Sequence, residues 1–312
     1  FREYDLHGCR DYMMLYIRIL ILLLCSWPLM AAQETKVQSS SDKASLAQDK
    51  IVLVAERLSP ALNKLISNLR ASAPQFSYQI STADTPAVIS VNDYVIVVGA
   101  KKITHTDLSK YPKRIGVMLT AHQAELADAS TSIYIEPPVS RQLKLANLLI
   151  PGSKKIGLLV SDEQDKANVL NQLSNVEKDM LKVVSIAEYD NINQALFHVL
   201  KGTRLLLGHY NSEIYNAKNI KNILITSYRQ RKVLIGPSRA YLKAGSFSTT
   251  FSDLSHIANR IIEVVEHHKA SDQWLKAGYN PHYRILFNAQ VARSLNIRVL
   301  KEDYLRQQMG DD

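Results

Sequence analysis

Residues 51–69 read IVLVAERLSPALNKLISNL, and this stretch sets the pattern that the rest of the chain repeats. Its first five residues form a short, continuous apolar run, which is typical of a strand buried on both faces of a sheet. Ser59 and Pro60 then favour a helix start, because serine caps helix N-termini and proline is tolerated in the first turn. Apolar residues at helical spacing follow, so the stretch predicts a parallel strand that leads into an amphipathic helix.

The same alternation of strands and helices continues to residue 268. Apolar runs predict strands at 94–98, 115–119, 156–160, 183–186, 204–207 and 233–235. Helical periodicity predicts helices at 165–179, 191–200, 220–231 and 254–268. Alternation of this kind implies parallel sheets with helices on both sides.

The chain of 312 residues fits two such sheets better than one. Residues 133–140, IYIEPPVS, predict a first crossing between the sheets, because the two prolines hold the chain extended. Residues 244–253, AGSFSTTFSD, are small and polar and predict a second crossing. We therefore predict an α/β protein with two doubly wound parallel-sheet lobes, joined by a hinge, with a ligand cleft at the carboxyl ends of the strands.

These patterns predict the following boundaries. Residues 1–32 form an N-terminal extension and signal peptide, 33–50 a polar flexible leader, and 301–312 a C-terminal tail. Lobe I comprises 51–136 plus about 247–275, and lobe II comprises 137–246 plus about 276–300.

Residues 15–32, LYIRILILLLCSWPLMAA, have the pattern of a secretory signal peptide. Arg18 precedes a short apolar core at 19–24, and the small residues Ala31 and Ala32 follow it. We therefore expect export to the periplasm, with a mature chain that starts near Ala32 or Gln33. The apolar core is short for a membrane span, so an uncleaved anchor is kept as the alternative.

The two cysteines, Cys9 and Cys25, both lie within or before this segment. A mature chain without it contains no cysteine, which removes disulfides, thiol catalysis and cysteine-based zinc sites together. Lipidation of Cys25 is disfavoured, because Leu24 stands where a lipobox needs a small residue.

The net charge of +9 comes from scattered lysines and arginines. No basic run is interleaved with aromatic residues, so nucleic-acid binding is not predicted. No nucleotide-binding glycine loop, nucleophile elbow or His-Glu-x-x-His motif occurs in the sequence, so we predict no catalytic residue and no cofactor. His267 and His268 could suggest a metal, but they end a helix, where histidine is favoured anyway, and no metal site is predicted.

Four stretches in the second half carry a family resemblance: 136–163 (EPPVSRQLKLANLLIPGSKKIGLLVSDE), 211–238, 240–253 (AYLKAGSFSTTFSD) and 287–297 (FNAQVARSLNI). In order and spacing they resemble the ABC-transporter substrate-binding family related to tryptophan- and tyrosine-type binding proteins. The resemblance implies a periplasmic binding protein fold of the first type. It also implies capture of a small solute, such as an amino acid, between the lobes and delivery to an ABC permease.

Two departures from that family bear on the ligand. The family commonly has Gly-Thr-Pro-Ala after a strand of the first lobe, whereas here Gly99 is followed by Ala100, Lys101 and Lys102. The family also tends to carry Asp-Pro after the next strand, where this chain has Thr120 and Ala121. The missing Gly-Thr-Pro-Ala run favours the alternative function, a periplasmic sensor or interaction module that signals to a membrane partner.

We expect ligand contacts in the loops just past the strand ends. Two tyrosines could stack on a cyclic ligand. Lys101 could pair with an anionic group of the ligand or with Asp162, or it could turn into solvent. The candidate ligand-binding residues are Ser59, Ala100, Lys101, Thr120, Tyr134, Ser161, Asp162, His209, Asn211, Ser238, Tyr241 and Ser246. The expected partners are a small-molecule ligand and an ABC permease or a membrane signalling protein, and the chain is expected to be a monomer.

Overall fold

A computed structural model describes residues 48–310. The predicted signal peptide, both cysteines and the first part of the predicted leader lie outside the described residues. The end of that leader belongs to the fold. Gln48 donates through its side chain to the carbonyl of Gln75 at 2.7 Å, and Lys50 begins the first strand.

Two six-stranded sheets form the described chain. The strands of the first sheet are β1 (Lys50–Val54), β2 (Ser77–Ser81), β3 (Tyr94–Val98), β4 (Arg114–Leu119), β5 (Thr131–Tyr134) and β11 (Gly278–Tyr279). Those of the second are β6 (Ile156–Val160), β7 (Leu181–Ser185), β8 (Leu206–Leu207), β9 (Leu234–Ile235), β10 (Ser248–Phe251) and β12 (Arg284–Phe287).

The two sheets have matching strand orders. The first runs β11-β5-β4-β3-β1-β2, and all its pairs are parallel. The second runs β12-β10-β9-β8-β6-β7 and is parallel except for β12, which pairs antiparallel with β10. From here on, lobe I and lobe II denote the first and second sheet with the segments that pack on them. The prediction of two α/β lobes with parallel-dominated sheets is confirmed.

The helices in chain order are α1 (Pro60–Ser72), α2 (Ala121–Glu125), α3 (Val139–Leu149), α4 (Glu163–Leu170), α5 (Asn175–Asp179), α6 (Ile192–Leu200), α7 (Ile220–Arg229), α8 (Arg239–Ala244), α9 (Leu254–Ser271), α10 (Ala289–Ser294) and α11 (Glu302–Met309). Single 3₁₀ turns lie at Leu108–Lys110 and Ile186–Glu188. In the part of the chain described, none of these helices has the length and apolarity needed to cross a membrane.

In each sheet, alternate residues of the central strands are buried on opposite faces. In lobe I, Ile51 and Leu53 of β1 face α1 and α9, whereas Val52 and Val54 face the opposite side. In lobe II, Leu158 of β6 lies in the cluster that includes α3, α10 and α11. The next residue along β6 lies with α6, α7 and α8. Period-2 alternation of buried residues on both faces is the physical basis of a doubly covered sheet.

The chain crosses between the lobes at residues 135–138, 252–253 and 280–283. The first crossing agrees with the proline-rich stretch, but two predicted lobe boundaries need correction. Residues 248–251 were assigned to lobe I, yet β10 pairs with β9 and β12 in the second sheet. Residues 278–279 were assigned to lobe II, yet β11 pairs with β5 in the first sheet.

The C-terminal segment also differs from its prediction as a tail. Residues 302–309 form α11, and Leu305 and Met309 are buried in the core of lobe II. Two buried apolar side chains one turn apart explain why this short helix packs on the lobe.

Candidate functional site

A cavity of about 360 Å³ lies between the lobes. Its walls come from segments that directly follow β4 and β5 in lobe I and β6 and β8 in lobe II, with Tyr279 of β11 at one side. Ligand sites of open parallel sheets lie at the carboxyl ends of the strands, and both sheets present those ends to this cavity. We call this space the interlobe cavity.

The lobe I wall is built at the start of α2. Thr120 caps the helix, since its Oγ1 accepts from Gln123 N at 3.1 Å and Gln123 Oε1 accepts from Thr120 N at 2.9 Å. Glu136, in the first crossing, reaches back so that its Oε1 accepts from Ala121 N at 2.6 Å. Its Oε2 is buried and has no hydrogen-bond partner. Burial raises the pKa of the Glu136 carboxyl, and the N–H groups of Ala121 and of Glu136 itself offset this only in part.

The lobe II wall centres on Asp165, in the first turn of α4. Its Oδ2 accepts from Asn211 Nδ2 at 2.7 Å, from Ser161 N at 2.9 Å and from His209 Nε2 at 3.0 Å. Burial opposes ionisation of this carboxyl, but the hydrogen bond and charge of His209, together with the other donors, lower its pKa. Asp165 is thus a satisfied carboxylate, whereas Glu136 on the opposite wall has an oxygen without a partner.

His209 is buried at the base of this wall. Its Nδ1 has no hydrogen-bond partner, and its ring meets Tyr215 edge-on with centroids 6.0 Å apart. The Ser161 hydroxyl interacts with Asp165 Oδ2 at 3.3 Å and accepts from Asn211 Nδ2 at 3.2 Å. The serine and the imidazole therefore both turn to Asp165, and this cluster does not have the serine-to-histidine pairing of a nucleophile with its base.

Tyr279 connects the lobes beside the cavity. Its hydroxyl bonds to Gln172 Oε1 at 2.5 Å, and Gln172 belongs to the segment after α4 of lobe II. Its ring meets that of Tyr134 at 5.2 Å in an edge-to-face arrangement. The cavity therefore has an aromatic side wall held between the sheets.

Half of the predicted ligand contacts lie at or around the interlobe cavity. Thr120 and His209 line it. Ser161, Asp162 and Asn211 surround Asp165, with Asp162 as the N-cap of α4, and Tyr134 supports Tyr279. Their contact with a ligand stays a prediction.

The other half lies elsewhere. Ala100 and Lys101 line a different cavity of about 810 Å³ that belongs to lobe I alone, because the loop after β3 turns onto the face of the sheet. Ser59 caps α1 by accepting from Leu62 N at 3.2 Å. Three more lie around α8 of lobe II: Ser238 as its N-cap, Tyr241 buried in the core, and Ser246 fully buried beside Gly236.

Lys101 is exposed, which corresponds to the solvent-facing alternative considered for it. Asp162 caps α4, where its Oδ1 accepts from Asp165 N at 2.8 Å, so it has a structural role of its own. The larger cavity is the less suitable candidate for the main site, since it lies within one lobe and a hinge motion would not close it.

The wall residues that the sequence analysis does not predict as ligand contacts include Glu136, Asp165 and Tyr279. Glu136 lies within the Pro-containing crossing and was interpreted only as part of the hinge. Asp165 lies one helical turn after Asp162. The expectation of ligand contacts just past the strand ends would have included it if it had covered the first turn of the following helix. Tyr279 lies on a strand of two residues, which is too short to leave a periodic signal.

Within residues 48–310 no group of three or more histidine, cysteine, aspartate or glutamate side chains is arranged to hold a metal ion. His268, considered above as a metal ligand, is buried. Its Nδ1 lies 3.0 Å from the Tyr94 hydroxyl, and its ring stacks on Trp274 at 3.9 Å.

The fold is that of the type I periplasmic binding proteins. The ABC domain in complex with L-Trp from Streptococcus pneumonia aligns with a TM-score of 0.50 at 15% identity, over 85% of this chain and 99% of that one. A ligand-free, open substrate-binding protein with adhesive properties from Clostridium difficile aligns with a TM-score of 0.58 at 10% identity, over 81% of this chain and 96% of that one.

The first of these neighbours is in complex with L-Trp and the second is a substrate-binding protein, and at such identities the likeness concerns the fold alone. The chain matches no protein-family model and no curated protein sequence.

Proposed function

We propose that this chain is the extracytoplasmic solute-binding component of an ABC transporter, which captures a small molecule between its two lobes. The observation that carries the proposal is the interlobe cavity, to which both sheets present the carboxyl ends of their strands. Its volume of about 360 Å³ lies within the range of small-molecule sites.

Three chain crossings join the lobes, which is the arrangement that permits hinge closure. A ligand that touches both walls makes its full set of contacts only when the lobes close on it. Binding therefore shifts the population toward closed molecules.

Export to the periplasm is part of this proposal and rests on the sequence at 15–32, outside the described residues. N-terminal sequencing of protein recovered from the periplasm should find a start near Ala32 or Gln33. A mature chain that retains residues 19–24 would contradict it.

A thermal-shift screen against amino acids, amines, sugars and organic anions tests the binding function. A ligand at 100 times its dissociation constant stabilises the folded state by about 2.7 kcal/mol, which is an easily measured shift. Small-angle scattering should then show a smaller radius of gyration with the ligand than without it. An unchanged scattering profile at saturation would contradict hinge closure.

The permease partner is tested separately. If genes for an ABC permease and its ATPase lie beside the gene for this chain, ligand uptake into proteoliposomes that contain both measures whether the chain supports transport. Ligand binding without support of uptake would favour the sensor alternative.

A further inference from the structure

The interlobe cavity has a charge opposite to that of the whole chain. The net charge is +9, yet the described residues that line the cavity include three carboxylates (Glu125, Glu136 and Asp165), two histidines (His122 and His209) and no lysine or arginine. Low-dielectric walls strengthen the field of such a cleft and select the sign of charge that enters it. This contrast first suggests a ligand that carries positive charge.

The chain's own carboxylates occupy the backbone donors beside the cavity. Glu136 accepts a hydrogen bond from the N–H of Ala121 at the start of α2, and Asp165 accepts one from the N–H of Ser161. Asp162 takes the N–H of Asp165 in the first turn of α4. Helix starts with unpaired N–H groups are where anions bind, and here those groups already donate to the protein. A carboxylate on the ligand would face these carboxylates.

Glu136 is the group that still needs a partner. One of its oxygens is bound to Ala121 N, and the other is buried without a hydrogen bond. A buried carboxylate oxygen without a donor is costly unless the group is paired. The basic residue Arg141 does not line this cavity. It lies on the neighbouring one, donates to Asn280 O at 3.0 Å, and stacks over the Tyr283 ring at 4.1 Å.

We infer that the ligand of the interlobe cavity is an amine that carries a cationic nitrogen and no carboxylate, with Glu136 Oε2 as its counter-ion. Tyr279 places an aromatic ring on the same cavity, where a cation gains further stabilisation from the ring face. The inference rests on the proposed capture of a solute between the lobes and names the chemical class of that solute.

Matched ligands test the inference by titration calorimetry on the purified chain. Tyramine carries the amine alone, tyrosine both charges, and 3-(4-hydroxyphenyl)propionate the carboxylate alone. Tryptamine, tryptophan and indole-3-propionate form a second set, and agmatine and putrescine represent aliphatic amines. The tightest binder should be an amine, by about tenfold or more over its matched amino acid, and the carboxylates should give no binding heat.

The variant Glu136→Gln should weaken binding of that amine by about tenfold or more, since a hydrogen bond to a charged partner is lost. The amide can still accept from Ala121 N, and an unfolding temperature no lower than that of the wild type would show that the wall is intact. Glu163→Gln is the matched control. It removes an exposed carboxylate of α4 outside the cavity lining and should leave binding unchanged.

Two results would overturn the inference and leave the proposed function standing. One is a tightest binder that is a zwitterion, an anion or a sugar. The other is an amine whose affinity does not change in Glu136→Gln. Failure of every ligand class to bind would overturn both the inference and the proposed function.

Discussion

The two lobes share one strand order but differ in what covers their sheets. In lobe II, helices lie on both faces, and the face toward α6, α7 and α8 holds thirteen buried side chains. The corresponding face of lobe I holds four. There, irregular segments at 82–93 and 99–113 replace the helices, and the cavity of about 810 Å³ opens on that side.

This difference shows that strand order does not by itself require helices on both faces. The segment TADTPAVISVND after β2 contains a proline and no helical stripe of apolar residues, so it crosses the sheet as a loop. Fewer buried contacts on that face make lobe I the less stable region, and local opening is expected to begin there.

Truncation of a buried core side chain should show the largest difference in stability between the two lobes. Leu159 of β6 is fully buried in the densely covered face of lobe II. Leu159→Ala should lower the free energy of unfolding by about 3–5 kcal/mol, because it removes buried methyl groups and leaves a cavity. Urea unfolding measures this change.

Ile103→Ala is the matched change in lobe I. Ile103 borders the large cavity, so its truncation should cost mainly the transfer term, about 2 kcal/mol for three carbon atoms. Equal losses for Leu159→Ala and Ile103→Ala would contradict the difference between the two faces.

Removal of the Asp165 carboxylate is the next largest effect. Asp165→Ala leaves His209 and Asn211 without their shared acceptor, and we expect a loss of about 2–3 kcal/mol. The pKa of Asp165 is lowered below its ordinary value of 3.8, so the folded state binds fewer protons than the unfolded state. Its stabilising contribution is therefore complete above pH 3.8 and is lost as the pH falls through the lower, folded-state pKa.

Denaturant unfolding between neutral pH and acid measures this dependence. The isosteric variant Asp165→Asn should be less stable than the wild type at neutral pH. The gap between the two should narrow as the pH falls. A gap that stays constant down to the lowest pH at which the chain folds would show that the charge of Asp165 contributes nothing.

The sequence predicts the strands with continuous apolar runs well. Those at 94–98 and 156–160 have the predicted bounds, because both faces of each are buried. It misses β2, whose residues SYQIS are only partly buried at the edge of the sheet. It also interprets β10, STTF, as a linker. In the fold these polar residues are buried, with Thr249 Oγ1 donating to Gly236 O at 2.8 Å.

The candidate site is predicted in part. Thr120 and His209 line the interlobe cavity as expected for residues just past strand ends, because that expectation depends only on where the strands stop. It misplaced Lys101, since the path of a loop after a strand depends on tertiary packing that periodicity does not record. The hydrogen bond from Ala121 N to Glu136 joins the segment after β4 to the segment after β5, and no local sequence pattern predicts it.

The helix caps provide a smaller test of the two lobes. Ser59→Ala removes the cap of α1 in lobe I, and Asn191→Ala removes that of α6 in lobe II. Each should cost about 1 kcal/mol, because a first-turn N–H loses its acceptor. Amide hydrogen exchange would then show increased opening of α1 in the first variant and of α6 in the second. Global exchange in both variants would contradict independent opening of the lobes.

The smallest expected effect on stability concerns Glu136, and its substitution should stabilise the chain where the preceding substitutions destabilise it. Burial raises its pKa above the ordinary value of 4.5, so the folded state binds more protons than the unfolded state. Without a ligand, stability should therefore fall as the pH rises from 4.5 through the folded-state pKa.

Glu136→Gln should remove this loss and stabilise the ligand-free chain at neutral pH by about 0.5–1 kcal/mol, as is common when a strained functional group is replaced. Thermal unfolding at pH 4 and pH 7 measures the change, with Asp165→Asn as the comparison that should destabilise instead. A Glu136→Gln variant less stable than the wild type at neutral pH would show that a cation of the protein already pairs with this carboxylate, and the two walls of the cavity would then be alike.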